Sequence, residues 1–317
     1  MSETFPAYLS LDYTDGAEHG AEAYPQLVDK IGKAVEVTRT ALEQYRTPAV
    51  MWTGGKDSTL VLYFVLQVAE EYDFELPPVV FIDHFEHFAE TTEFVERWAD
   101  RWGLDLVVAR NEAIACMDAE PGEEIRVADL DDRNRRELDR LDFEGDAFEL
   151  DADTLVGNHL LKTVALNDVI AEHGFDGIFS GVRWDEQEAR AAETFFSPRH
   201  DSEKYPPHDR IQPILQFDER AVWDAMWGYV VPDTVPGYPA GHVPERLDDF
   251  PDGLSPEDVP VSPKYFEGYR SLGTREGSGK ADDRPAWLQD LDSTTERAGR
   301  AQDKEKLMQR LRELGYM

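Results

Sequence analysis

Between residues 26 and 45, apolar side chains fall at Leu27, Val28, Ile31, Ala34, Val35 and Val37, a spacing that gathers them on one stripe of a helix. A short apolar run at 48–52 predicts a strand, and 57–72 predicts the helix after it. The alternation continues with a strand at 78–83 that ends on Asp83, a helix at 91–102 and a strand at 104–109. Strands alternating with amphipathic helices predict an α/β fold, Rossmann-like, with a doubly wound and mostly parallel sheet covered on both faces. Asp83 would then stand at the C-terminal edge of the sheet, where such folds bind ligands.

Residues 117–153 break this rhythm. They are crowded with Asp, Glu and Arg and carry little apolar periodicity, which predicts an acidic insertion: a solvated loop, lid or partner contact. Periodicity returns with a helix at 155–173 and a strand at 177–180. An extended segment at 210–215 leads into a helix bearing Trp223, and proline and glycine make 231–263 mostly irregular. A last helix, rich in Arg, Lys and Glu, is expected at 293–314. The division expected is a nucleotide-binding domain at 1–230 and a C-terminal extension at 231–317 that completes the site.

The chain of 317 residues suits one large or two modest domains. Its formal charge is −34, with the acidic residues spread along the whole length. That composition resembles proteins of salt-loving archaea, which stay dissolved behind an acidic surface. No basic stripe marks a nonspecific nucleic-acid binder. No apolar run reaches the roughly 20 residues of a membrane helix, and the acidic N-terminus lacks a signal pattern, so a cytoplasmic protein is expected. One cysteine, Cys116, excludes an internal disulfide and a cysteine-rich metal site, and a buried inert thiol is the expectation.

The chemistry concentrates at Trp52-Thr53-Gly54-Gly55-Lys56-Asp57-Ser58-Thr59, between the first strand and its helix. Adjacent glycines let the backbone turn sharply, and a turn that opens a helix presents N–H donors to phosphate. Lys56 adds a point charge. ATP is the natural ligand, with adenine near Met51 and Trp52. The loop is not the common phosphate loop, which places four residues between its first glycine and Gly-Lys. Asp57 could orient the loop or meet Mg²⁺ through water. Asp83 could contact metal or ribose, or cap its strand. Downstream, Gly181-Val182-Arg183 and Arg190 follow a strand end, where guanidinium forks suit phosphate or sulfate. Lys162 and Arg270 are further anion candidates. His84 and His87 lie close to Asp83 but fit no strong metal spacing, and His159 reads as structural.

The loop resembles the PP-loop, usually Ser-Gly-Gly-x-Asp-Ser, of the ATP pyrophosphatase superfamily, with Thr53 in place of the first Ser. The ordered set of motifs resembles the phosphoadenosine phosphosulfate reductase family in the broad sense. Within that family the likeness is strongest to the small, ATP-cleaving subunit of the two-subunit sulfate adenylyltransferase. It rests on Ile82-Asp83, the helix bearing His159 to Thr163, Gly181 to Ala191, Arg210 to Leu215, Tyr269 to Gly273 and Glu296 to Arg300. The resemblance implies an adenine nucleotide alpha hydrolase-like fold, ATP and Mg²⁺ as cofactors, adenylyl transfer with release of pyrophosphate, and a GTPase large subunit as partner. A homo-oligomer stays open.

Three departures bear on the acceptor. Trp184 stands where that subunit has a second Arg. His84-Phe85-Glu86-His87-Phe88 replaces Thr-Gly-Trp-Lys-Phe, and the 117–153 insertion has no counterpart. The reductases of the resembled family use a cysteine near the C-terminus as nucleophile, and the sequence holds no cysteine after Cys116, so the resemblance does not imply reduction here. Three readings stay open: sulfate adenylyltransferase, activation of a nucleic-acid target for sulfur insertion, and a nucleotide-binding subunit without turnover.

Overall fold

The first amphipathic stripe forms α1 (Leu27–Gln44), which turns Ala34, Val37 and Ala41 into the core. It is followed by β1 (Pro48–Met51), α2 (Lys56–Tyr72), β2 (Val79–Ile82), α3 (Ala89–Trp102) and β3 (Leu106–Ala109). The structure, a computed structural model, describes residues 5–6, 8–17, 20–186, 190–202, 204–246, 248–280, 282–294 and 296. The helix expected at 293–314 lies almost wholly outside the described residues.

A short helix, α4 (Glu112–Ala115), leads into β4 (Glu124–Arg126), α5 (Asp132–Arg140) and β5 (Ala147–Glu149). The next helix runs as α6 (Leu155–Asn158), a π-helical segment (His159–Val164) and α7 (Ala165–His173). Then come β6 (Gly177–Phe179), β7 (Phe196–Arg199), β8 (His208–Ile211), α8 (Glu219–Ala225), α9 (Val231–Thr234) and α10 (Pro263–Phe266).

Among the described residues, six strands form one sheet in the order β3-β2-β1-β6-β8-β7. All neighbours run parallel except β7, which pairs antiparallel with β8. From β1 the chain winds outward through β2 and β3 on one side; on the other, β6 is followed by the edge strand β7, and β8 returns to fill the place between them. The point of reversal is therefore between β1 and β6, and a crevice opens there at the strands' C-terminal ends. Pro48, Ala49 and Val50 pair with Gly177, Ile178 and Phe179 across it.

The two faces of β1 belong to different cores. Val50 packs with residues of α1, α2, α3 and α8, including Phe64, Phe94 and Trp223. Ala49 and Met51 face α7, against Leu166, Val169 and Ile170.

The 117–153 stretch is not a solvated loop. β4 and β5 pair as an antiparallel ribbon, and Ile125, Leu130, Leu138 and Phe148 bury with Leu160 and Val164 in a third cluster. Each short element contributes only one or two apolar residues, so no single period reveals the core. Cys116, expected inside, ends α4 with an exposed side chain.

Among the described residues, no helix is long and apolar enough to cross a membrane.

Candidate nucleotide site

Alternation along β1 decides what faces the crevice. Met51 lines it, whereas Trp52, one residue on, points to the opposite side. Trp52 is fully buried, lies against Phe94 and Trp102, and donates from Nε1 to Thr59 Oγ1 at 3.0 Å. The expected adenine contact at Trp52 is therefore corrected: Trp52 and Thr59 brace the loop from behind.

The loop itself is held by its hydroxyls. Thr53 N–H donates to Ser58 Oγ at 3.2 Å, and Gly55 N–H to Thr53 Oγ1 at 3.3 Å. Ser58 Oγ donates back to Gly55 O at 3.0 Å. Gly54 has φ 74°, and a Cβ there would stand 3.0 Å from Val95, so glycine is required twice over. α2 begins at Lys56, with its N-terminal N–H groups at the crevice. On the facing strand end, a Cβ on Gly181 would meet the backbone of Asp57 and Ser58 at 2.9 Å. That contact lets the end of β6 close directly onto the loop.

The cations nominated by the sequence are present, but carboxylates hold them. The Lys56 side chain is 1% exposed, and its Nζ meets Glu296 at 2.5 Å, Asp57 at 3.1 Å and Arg270 O at 3.3 Å. Arg183 is fully buried and pairs with Asp57, with Asp185 at 2.8 Å and with Glu296 at 2.5 Å. A buried charge is tolerated only when paired in this way. Burial opposes ionisation of Lys56 and Arg183, but the carboxylates outweigh it and raise both, so each stays a cation. Burial also opposes the Glu296 charge, and Lys56 with Arg183 reverses that and holds it below the usual carboxylate range.

The other end of the crevice belongs to the segment after β2. Asp83 turns away from the crevice: it pairs with Arg110 at 3.0 Å and accepts the Phe85 N–H at 3.0 Å. That turn puts Phe85 at φ 67°, a strained value for a residue with a side chain. Of the roles expected for Asp83, the strand-end cap is the one its contacts fit. The turn also stacks His84 and His87, with ring centroids 3.7 Å apart, along the crevice wall. His84 Nδ1 accepts the Glu86 N–H at 3.3 Å, and His87 Nε2 donates to Ile82 O at 2.9 Å. Burial lowers both imidazoles, and Lys162 lowers them further, so both are neutral.

Lys162 lines this end from the π-helical segment and donates to Ala152 O at 3.2 Å. Arg190 also lines the crevice. Arg270, an expected anion contact, instead bonds Glu219 and Thr294 and carries its backbone to Lys56. His159 pairs with Glu137 at 2.8 Å, a structural contact. Residues 187–189 and 297–300 of the quoted motifs lie outside the described residues.

The resulting crevice measures about 250 Å³. Among the described residues, no group of three or more His, Cys, Asp or Glu side chains could hold a metal ion. Both Asp57 oxygens are engaged, by Arg183 and Lys56. A Mg²⁺ ion, were it carried on nucleotide oxygens, would need few protein ligands. Several wall residues had no expected role in the sequence, among them Tyr265, and Glu296 between Lys56 and Arg183. Glu296 belongs to a quoted motif, but its partners lie 240 and 113 residues away and leave no local signal.

Residues 47–234 match the family described as phosphoadenosine phosphosulfate reductase domain. A protein of Chelativorans sp. named sulfate adenylyltransferase subunit 2 is 25% identical, covering 90% of this chain and 95% of its own. Its Escherichia coli namesake is 24% identical over 86% of this chain and 91% of its own. Among solved structures, Candida glabrata FMN adenylyltransferase with FMN and the ATP analogue AMPCPP aligns with TM-score 0.50 at 16% identity. It covers 96% of this chain and 92% of that one. Yeast FAD synthetase with FAD also gives 0.50 at 16% identity, over 89% and 95%.

Proposed function

Because the chain belongs to the phosphoadenosine phosphosulfate reductase domain family, we propose that it cleaves ATP between the α and β phosphates, transfers the adenylyl group to an oxyanion and releases pyrophosphate. The acceptor proposed is sulfate, and the context is sulfate assimilation. The carrying observation is the glycine turn with buried Lys56 and Arg183 at the reversal point of a parallel sheet. The names of relatives that match over nearly their full length support the same reading.

In this reading, the loop N–H groups and Lys56 hold the β and γ phosphates, which become the leaving pyrophosphate. Arg183 meets the α-phosphate once the triphosphate displaces Glu296. Arg190 and Lys162 face the acceptor from the crevice wall, and the base lies against Met51. Bound Mg²⁺ would neutralise phosphate charge. The protein's own contribution is to align and desolvate the reacting groups. Residues 231–317 complete the site through Tyr265, Ser271 to Gly273 and Glu296. A GTPase partner subunit and a cytoplasmic setting belong to the same proposal. Cys116 is not part of the crevice, so attack by a thiolate is not proposed.

One observation favours a second reading. The neutral His84–His87 stack stands where the resembled subunit carries a lysine, which suits a less charged acceptor such as a nucleic-acid base. The test is an acceptor screen with ATP and Mg²⁺ at high salt. The expected outcome is pyrophosphate release that depends on sulfate and disappears in Lys56→Ala. Release that requires DNA or RNA supports the second reading. ATP binding without release for any acceptor indicates a subunit that only binds nucleotide.

A further inference from the structure

Tyr265 reaches the loop from α10, across 209 residues of chain. Its hydroxyl accepts the backbone N–H of Lys56, the first residue of α2, at 2.9 Å. The side chain is 2% exposed, and its ring stands edge-on to Trp223 with centroids 5.0 Å apart. Its neighbours fix it: Lys264 bonds Glu90 at 2.7 Å, and Phe266 sits edge-on to Trp227 and Trp287. One edge of the phenol nevertheless borders the crevice, and a Cβ on Gly55 would lie 3.4 Å from its oxygen.

A phenol that accepts one hydrogen bond still has a hydrogen to give. Among the described residues, that hydrogen meets no protein acceptor. Burial and the neighbouring Asp57 push its pKa up despite Lys56, so the O–H stays protonated. An N–H pointing at the oxygen polarises the O–H and strengthens it as a donor. The hydroxyl thus carries the field of the helix N-terminus one bond further into the crevice. It is a neutral donor in a place where two cations are already surrounded by carboxylates.

We propose that Tyr265 is a substrate contact whose hydroxyl, backed by the Lys56 N–H, donates to a phosphate oxygen on the pyrophosphate half of the bound triphosphate. This rests on the reading that the loop holds the polyphosphate. Tyr265→Phe keeps the ring on Trp223 and removes only the donor. Calorimetric titration of the full chain with inorganic pyrophosphate plus Mg²⁺, and separately with AMP, reads the two halves of the site. Pyrophosphate affinity is expected to fall about 10-fold or more, the usual worth of a hydrogen bond to a charged group, with AMP affinity unchanged. Equal pyrophosphate affinity overturns the proposal. So does an equal loss for both ligands, because that marks a supporting ring only.

Should the Phe variant fold poorly, 3-fluorotyrosine at position 265 keeps the shape and makes the O–H a better donor. Pyrophosphate should then bind more tightly, and unchanged or weaker binding overturns the contact. Wild type that binds no pyrophosphate contradicts the loop assignment and takes this inference with it. Binding abolished by Lys56→Ala but untouched by Tyr265→Phe contradicts Tyr265 alone.

Discussion

At the scale of single residues, the site is a set of charges that water does not screen. Lys56 and Arg183 are buried cations whose partners, Asp57 and Glu296, they share. On the proposed reading, a triphosphate entering the loop would exchange one anion for another and would not bring charge to an unpaired cation. The same logic of burial governs the neutral histidines. His208, on β8, is 1% exposed; burial and then the Arg210 charge push it down to about 3. In the unfolded chain its imidazole titrates near 6.5. Between those values the unfolded state binds a proton that the native state refuses, so stability rises with pH there. Its stabilising effect is complete above pH 6.5 and is lost progressively as pH falls toward 3. The urea midpoint should drop between pH 7.5 and 5, and His208→Asn should drop less. A wild-type to variant difference that does not change with pH contradicts this.

At the scale of elements, the close approach of β6 to the start of α2 sets the crevice. Gly181→Ala would drive a Cβ to 2.9 Å from the Asp57 and Ser58 backbone. Overpacking of this kind costs about 1–3 kcal/mol, and here it also pushes the loop out of place. Urea unfolding and ATP titration should both show a loss, and unchanged ATP affinity contradicts the assigned closeness. The order of strands and helices up to β3 was legible because each strand is a compact apolar run followed by one amphipathic stripe. The loop was legible because its glycines and hydroxyls are contiguous. Trp52 was misread through its position beside the motif, although the period-two alternation after Ala49 and Met51 already sends it to the other face. The β4–α5–β5 unit was missed because its apolar residues are sparse and bury against distant partners on α4, α6 and the π-helical segment. Asp83 sits where a ligand contact was expected, yet Arg110 and the Phe85 N–H engage it. Glu296 and Tyr265 act on the loop over distances along the chain that no local pattern encodes.

At the scale of the whole molecule, a chain with formal charge −34 sets two of its buried cations, Lys56 and Arg183, beside one crevice. Net charge speaks to solubility and association, and at about 1 M salt a Debye length near 3 Å leaves only contacts as close as those in the crevice unscreened. On the proposed reading, binding of a polyanion by so acidic a protein depends on the loop and on the cations at the crevice, Lys56, Arg183, Lys162 and Arg190. The claim beneath all of this is that the loop grips the terminal phosphates and leaves the α-phosphorus open to attack. ATP labelled on the γ-phosphate, turned over at high salt with the acceptor found in the screen, tests it most directly. The label should leave in pyrophosphate and the adenosine should end as an adenylyl product; label recovered as orthophosphate beside ADP would contradict it.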